Sequence, residues 1–167
     1  MTKPREPLRE PLDAETCGLP LALEVMGERW SFLLLRAAFN GLSHFEEFLG
    51  IGIARNILAS RLAKLVEHGI LVRAPQEDDR RKVTYALTRK GIDLLPAMLA
   101  LRQWGETYGL GVPSNPVLVD RRDRRPIAPI AVHSADGRQL AYEDLEWVDE
   151  GDLANPHGAA PAAQSCC

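Results

Sequence analysis

Gly52-Ile53-Ala54-Arg55-Asn56-Ile57-Leu58-Ala59-Ser60-Arg61-Leu62-Ala63-Lys64-Leu65-Val66-Glu67-His68-Gly69 is the stretch on which the fold of this chain turns. Leu58, Leu62, Leu65 and Val66 recur at i, i+4, i+7 and i+8, the spacing of one apolar helix face. Gly69 stands where a left-handed cap ends a helix. The rest of the surface carries Arg55, Asn56, Ser60, Arg61 and Lys64, with no acid before Glu67. A helix over about 53–68 is expected, buried on one side and suited to an anion on the other. Its working reading is a recognition helix for DNA.

The flanking residues frame that helix. Ser43 stands three residues before Glu46, a capping box opening a short helix from His44 to Leu49, with Phe45, Phe48 and Leu49 turned inward. Gly50 and Gly52 make the turn that follows. Short helix, glycine turn and longer cationic helix form a helix-turn-helix, whose second helix enters the major groove. Upstream, Leu19 to Met26 reads as a short helix with Leu19, Leu23 and Met26 on one face, and Gly27 breaks it. Trp30 to Phe39 is apolar nearly all round and should be the most buried helix.

Beyond Gly69 the period changes from helical to alternating. Ile70-Leu71-Val72 and Val83 to Leu87 read as two strands joined by the charged loop Ala74 to Lys82, a wing. Arg80, Arg81 and Lys82 on that wing are placed to hold phosphates or a minor groove. Thr88 is a fitting N-cap for a helix from Arg89 to about Tyr108. Its stripe of Leu94, Leu95, Met98, Leu101, Trp104 and Tyr108 exceeds what one small domain needs, so part of it is expected to meet a second subunit.

The expected architecture is mainly α with a small antiparallel β wing, a winged helix-turn-helix, plus a C-terminal β-hairpin extension. Residues 1–16 form a flexible arm, 17–110 the DNA-binding and dimerisation domain, 111–150 a small β-rich extension and 151–167 a disordered tail. In the extension, Val117 to Val119 reads as a short strand and Arg121 to Arg125 as a cationic turn. Ser134-Ala135-Asp136-Gly137 between Ile130 and Tyr142 reads as a hairpin turn.

Composition narrows the function. The chain has 167 residues, 46% hydrophobic and 26% charged, as in globular proteins. No apolar run approaches the roughly 20 residues that span a bilayer, so no membrane partner is expected. The N-terminus lacks the apolar core of a secretory signal, and a cytoplasmic location follows. The net charge is −3, yet Arg55 to Lys90 holds nine Lys and Arg against four Asp and Glu. Gly109 to Cys167 holds five against nine. Positive charge is therefore concentrated on the helix and wing, as a local nucleic-acid face requires. Three cysteines make no disulfide framework, and four scattered histidines make no metal cluster. No nucleophile–base pair, phosphate loop or paired carboxylates suggests catalysis. No enzyme activity, cofactor or metal is expected.

In this order and spacing the motifs resemble the HxlR-type regulators, MarR-like winged helix-turn-helix transcription factors. The similarity runs from Cys17 to about Tyr108. It includes Gly27-Glu28-Arg29-Trp30 before a leucine-rich helix, His44-Phe45-Glu46-Glu47-Phe48, and Gly52 to Leu62. Leu65-x-x-x-Gly69-Ile70-Leu71 and Tyr85-x-Leu87-Thr88-x-x-Gly91 complete it. The resemblance implies a homodimer, held by the N-terminal segment and the helix after the wing, on a double-stranded operator of two half-sites. His44 stands where such proteins often have a cation, so a phosphate contact there is weaker and pH-dependent. Glu77-Asp78-Asp79 must point away from DNA. Some relatives carry paired cysteines in a C-terminal metal knuckle; His133 and Asp136 occupy that spacing here and do not make a tetrahedral zinc site.

The DNA-contacting set is therefore Arg55, Asn56, Ser60, Arg61 and Lys64 on the helix, Arg80, Arg81 and Lys82 on the wing, and His44. Arg61 lies towards the edge of its face, where phosphate or an acid can take it. Cys17 has two readings, a buried packing residue or the oxidant-sensing thiolate that the resemblance implies for some relatives, and an oxidant or small molecule is the expected effector class. A second functional reading keeps the fold and makes the acidic C-terminal extension a protein- or ligand-binding module.

Overall fold

Leu34, Leu35, Phe48 and Leu58 expose none of their surface, and Leu62, Leu65 and Leu71 only about 1% each. Around them the computed structural model, which describes residues 17–75, 82–109, 111 and 115–147, arranges six helices and one small sheet. In chain order these are α1 Gly18–Met26, α2 Arg29–Phe39, α3 Phe45–Leu49 and α4 Arg55–Glu67. The strands β1 Leu71–Pro75 and β2 Val83–Leu87 follow, and then α5 Arg89–Ile92 and α6 Leu95–Tyr108. This is the expected class, a mainly helical domain with a two-stranded antiparallel wing. Among the described residues no helix is long and apolar enough to cross a membrane.

Each helix turns its apolar positions inward. α2 buries Ser31, Leu34, Leu35 and Ala37, and the Ser31 hydroxyl donates to the Val25 carbonyl at 3.1 Å, tying the start of α2 to the end of α1. α4 buries Leu58, Leu62 and Leu65. Of the three residues expected to share an inward face on α1, only Met26 is buried; Leu19 and Leu23 stay half exposed.

Three element boundaries differ from the sequence expectation, each for a local reason. Ile70 does not join the first strand. Its N–H donates to the Leu65 carbonyl at 2.8 Å and its own carbonyl accepts from Thr88, so it closes α4 behind Gly69, whose φ of +68° suits glycine. β1 instead runs on to Pro75, which pairs with Val83 at the end of the ladder. The single helix expected from Arg89 to Tyr108 is broken at Asp93 and Leu94. Pro96 has no N–H to give Ile92 in a continuous helix, whereas the first turn of a new helix tolerates it. Thr88 caps α5 as expected, accepting from the Gly91 N–H at 3.1 Å.

The described residues divide into two units, one ending at Val117 and the other beginning at Leu118. In the second unit the segments expected as strands hold only isolated bridges, Val119 with Pro126 and His133 with Gln139. Pro126 and Pro129 remove ladder donors, which limits pairing. Both turns have the same form. Asp123 accepts from the Arg125 N–H and Asp136 from the Arg138 N–H, and Arg124 and Gly137 follow those aspartates in the left-handed region at φ +61° and +86°. The chain then makes a single 3-10 turn, Tyr142–Asp144.

Gly91 lies against the α4–β1 junction with no room for a side chain. A Cβ added there stands 2.3 Å from the Ile70 carbonyl oxygen, a backbone atom that cannot rotate away. Gly91→Ala is expected to destabilise the fold by about 1–3 kcal/mol, read as a lowered urea midpoint; an unchanged midpoint refutes the close packing of α5 on the α4–β1 junction.

Candidate nucleic-acid interface

α3, the turn 50–54 and α4 form the helix-turn-helix. Gly52, at φ +88°, lets the chain reverse between the two helices. The capping box sits one residue later than the sequence expectation. His44 is the N-cap, and the Glu47 carboxylate accepts from the Ser43 N–H at 2.7 Å and the His44 N–H at 2.9 Å. Those two backbone donors, Ser43 first, hold the Glu47 carboxyl below its ordinary pKa. Glu46, expected as the capping acid, points instead to Arg55.

The start of α3 also joins the wing. The Tyr85 N–H donates to the Ser43 carbonyl at 2.7 Å, and His44 bridges to Thr84. The Phe48 and Tyr85 rings meet edge to face, 6.3 Å apart at 84°. His44, expected at a phosphate, thus serves as a helix cap and wing contact, with its Nδ1 3.0 Å from the Ser43 hydroxyl and 3.5 Å from Glu47. Helix-turn-helix and wing are braced as one piece.

The outer side of α4 sorts the expected mixture of polar and cationic groups into a small uncharged stripe and flanking cations. Opposite the buried Leu58, Leu62 and Leu65 lies a stripe of Asn56, Ser60, Ala63 and Glu67 at i, i+4, i+7 and i+11, with Ala59 beside it, all exposed. Arg55 and Lys64 flank that stripe, and Arg61 lies further round towards the core. Neighbouring elements hold all three. Arg55 forms a bidentate pair with Glu46, Nη1 to Oε1 at 3.0 Å and Nη2 to Oε2 at 3.1 Å, with its guanidinium 5.3 Å from the centre of the Phe45 ring. Arg61 is largely buried and paired with Glu28, the N-cap of α2. Lys64 donates to the Glu24 carbonyl of α1. No acid of α4 itself precedes Glu67; the acids that meet its arginines come from α3 and the α1–α2 junction.

Lys82 is exposed at the end of the wing loop, while Arg80, Arg81 and the acidic run Glu77 to Asp79 lie outside the described residues. Cys17 is the N-cap of α1, partly exposed and free. Among the described residues no three His, Cys, Asp or Glu side chains gather as metal ligands. Asp136 is occupied by the Ser134 hydroxyl and the Arg138 N–H, which hold its carboxyl below the ordinary range.

A family model described as HxlR-like helix-turn-helix matches residues 25–111, which cover α2 to α6 and the last residues of α1. The chain belongs to that family. A relative in Mycobacterium bovis, named an uncharacterised HTH-type transcriptional regulator, is 46% identical over 88 residues. That match spans 52% of this chain and 56% of the relative's length. The similarly named YdeP of Bacillus subtilis is 32% identical over 98 residues, covering 58% and 77%. Among solved structures, PA1607, described as a candidate transcription factor, superposes with a TM-score of 0.74 at 42% identity, covering 80% of this chain and 94% of that one. The redox regulator HypR in its oxidised form superposes at 0.51 with 32% identity, over 55% of this chain and 96% of its own.

The helix expected over about 53–68 is present as α4, but its own sequence does not announce that Glu46 and Glu28 take its two arginines. Spacing along one helix cannot reveal partners that reach it across a turn or from another helix. Glu47 gives a pH test. A carboxyl whose pKa is lowered on folding stabilises above its unfolded pKa and loses that effect as pH falls through the folded value. Glu47→Ala is therefore expected to lower Tm at pH 7, and the gap to wild type should close on acidification below about pH 4. A gap independent of pH rules out the capping role.

Proposed function

We propose that the chain is a sequence-specific DNA-binding transcriptional regulator that works as a homodimer on a two-half-site operator in the cytoplasm. α4 enters the major groove, and the wing 74–82 rests on backbone or minor groove. The observation that carries this reading is the outer stripe of α4, exposed and polar on a helix-turn-helix braced to its wing. The HTH-type transcriptional-regulator names of the relatives support it. Lys82 with Arg80 and Arg81 supplies phosphate contacts, which position a protein on a duplex without reading it.

Phosphate contacts release counterions, so binding to DNA from the chain's own upstream region must depend on salt. With about six contacts per dimer, affinity is expected to fall roughly thousand-fold between about 50 and 200 mM salt. Lys82→Ala should weaken binding to all sequences alike and reduce the salt slope by about one per protomer. A flat salt profile in a gel-shift titration rejects the function.

The dimer reading rests on apolar surface. Leu19, Leu21 and Leu23 of α1 and Leu101, Trp104 and Tyr108 of α6 are each at least about half exposed, Trp104 at 65%. The Trp104 and Tyr108 rings meet at a tilt of 46°, 5.7 Å apart. Clustered exposed apolar groups of this size mark interaction surfaces. A dimer of such domains sets two recognition helices about one DNA turn apart, roughly 34–36 Å. Trp104→Asp is expected to shift the protein towards monomer in sedimentation and weaken operator binding at least about tenfold; a wild-type monomer at micromolar concentration contradicts the assignment.

A further inference from the structure

The placement of the α4 cations bears on which bases the helix can read. Guanine is read in the major groove by a bidentate Arg or Lys at O6 and N7, adenine by the amide of Asn or Gln at N6 and N7, and thymine by apolar contact with its methyl group. In this fold the guanine-reading fork of Arg55 is filled by Glu46 through both terminal nitrogens, and its flat face lies near Phe45. Freeing it leaves the Glu46 carboxylate unpaired beside α4. Arg61 is drawn back into its pair with Glu28, and Lys64 is held at the Glu24 carbonyl. Beside the paired Arg55 and the half-exposed Ile57, what faces outward in the first two turns is Asn56, Ala59 and Ser60, followed by Ala63. Among the described residues the Asn56 and Ser60 side chains have no intramolecular partner. Their donors and acceptors are available to a base edge. Glu67 closes the stripe at its C-terminal end with a negative charge, which suits a helix that inserts its N-terminal residues, as recognition helices do.

We infer that α4 reads A·T pairs at the centre of its half-site, through the Asn56 amide on adenine and the Ala59 and Ala63 methyl groups on thymine. Arg55, Arg61 and Lys64 are positioning residues that fix the helix and neutralise its flanks. Ser60, whose hydroxyl both donates and accepts, adds contact without selecting a base. This inference rests on the DNA-binding reading above.

Selection from a randomised duplex library with the full-length chain at fixed salt tests it. The enriched half-site should carry A·T pairs at two or more adjacent positions. Asn56→Ala should relax the preference at one of them by about five- to hundred-fold, while the far-ultraviolet spectrum stays unchanged. Asn56→Asp, which keeps the shape and removes the amide donors, should move that position towards cytosine. Arg55→Ala should weaken binding to all sequences by a similar factor and leave the selected motif intact, an outcome that separates positioning from base reading. A selected G·C position whose preference disappears in Arg55→Ala or Arg61→Ala overturns the inference and leaves the regulator reading standing. A library in which no motif is enriched overturns both.

Discussion

Leu58, Leu62 and Leu65 of α4 lock into the core formed with α2, α3 and β1, and that packing sets the rotation of α4 about its own axis. Each buried leucine contributes roughly 1.5–3 kcal/mol, and a rotation of one residue carries part of the stripe into water. With the inner side held in this way, the residues available to a duplex are those on the opposite stripe. Asn56, Ala59, Ser60 and Ala63 are outward because the leucines are inward. The same core reaches the wing through Phe48 against Tyr85, so α4 and the wing share one foundation.

On that foundation charge is arranged in two layers. α4 carries Arg55, Arg61 and Lys64, yet its arginines meet acids donated by α3 and by the start of α2. Exposed pairs such as Arg55 with Glu46 contribute at most about 1 kcal/mol to stability, so their importance lies in direction. A guanidinium gripped at both ends of its fork is aimed and partly neutralised, which leaves short uncharged side chains along the exposed stripe between the cations. The acidic balance beyond Gly109 is compatible with DNA binding because attraction is local to one face and falls off within about 10 Å at ordinary salt.

Elements with a strong period were legible in the sequence: α2, α4 and β2 lie within a residue or two of where their apolar repeats predict them. Boundaries ruled by a single group were not. Ser43–Glu46 and His44–Glu47 offer the same three-residue spacing, and periodicity cannot choose between them. The Tyr85 N–H engages the Ser43 carbonyl, and the helix begins one residue later. The break before α6 was legible in principle, since Pro96 cannot donate within a continuous helix, but the apolar stripe running across it concealed the interruption. In the second unit an alternating pattern and an Asp-Gly turn suggested strands where proline leaves only single bridges.

The helix-turn-helix, its wing and the helix that would meet DNA all follow from one-dimensional spacing, because apolar periodicity and turn chemistry are local properties of the chain. Which side chains of α4 are left to face a duplex is a different kind of fact. Glu46 lies nine residues before Arg55, and Glu28 thirty-three before Arg61. Pairings of that range arise only when packed helices bring distant charges together. The sorting of a mixed polar and cationic face into a small polar stripe flanked by tethered cations therefore belongs to the tertiary structure: the leucine contacts set the rotation of α4, and the acids and the carbonyl beside it determine where each cation points.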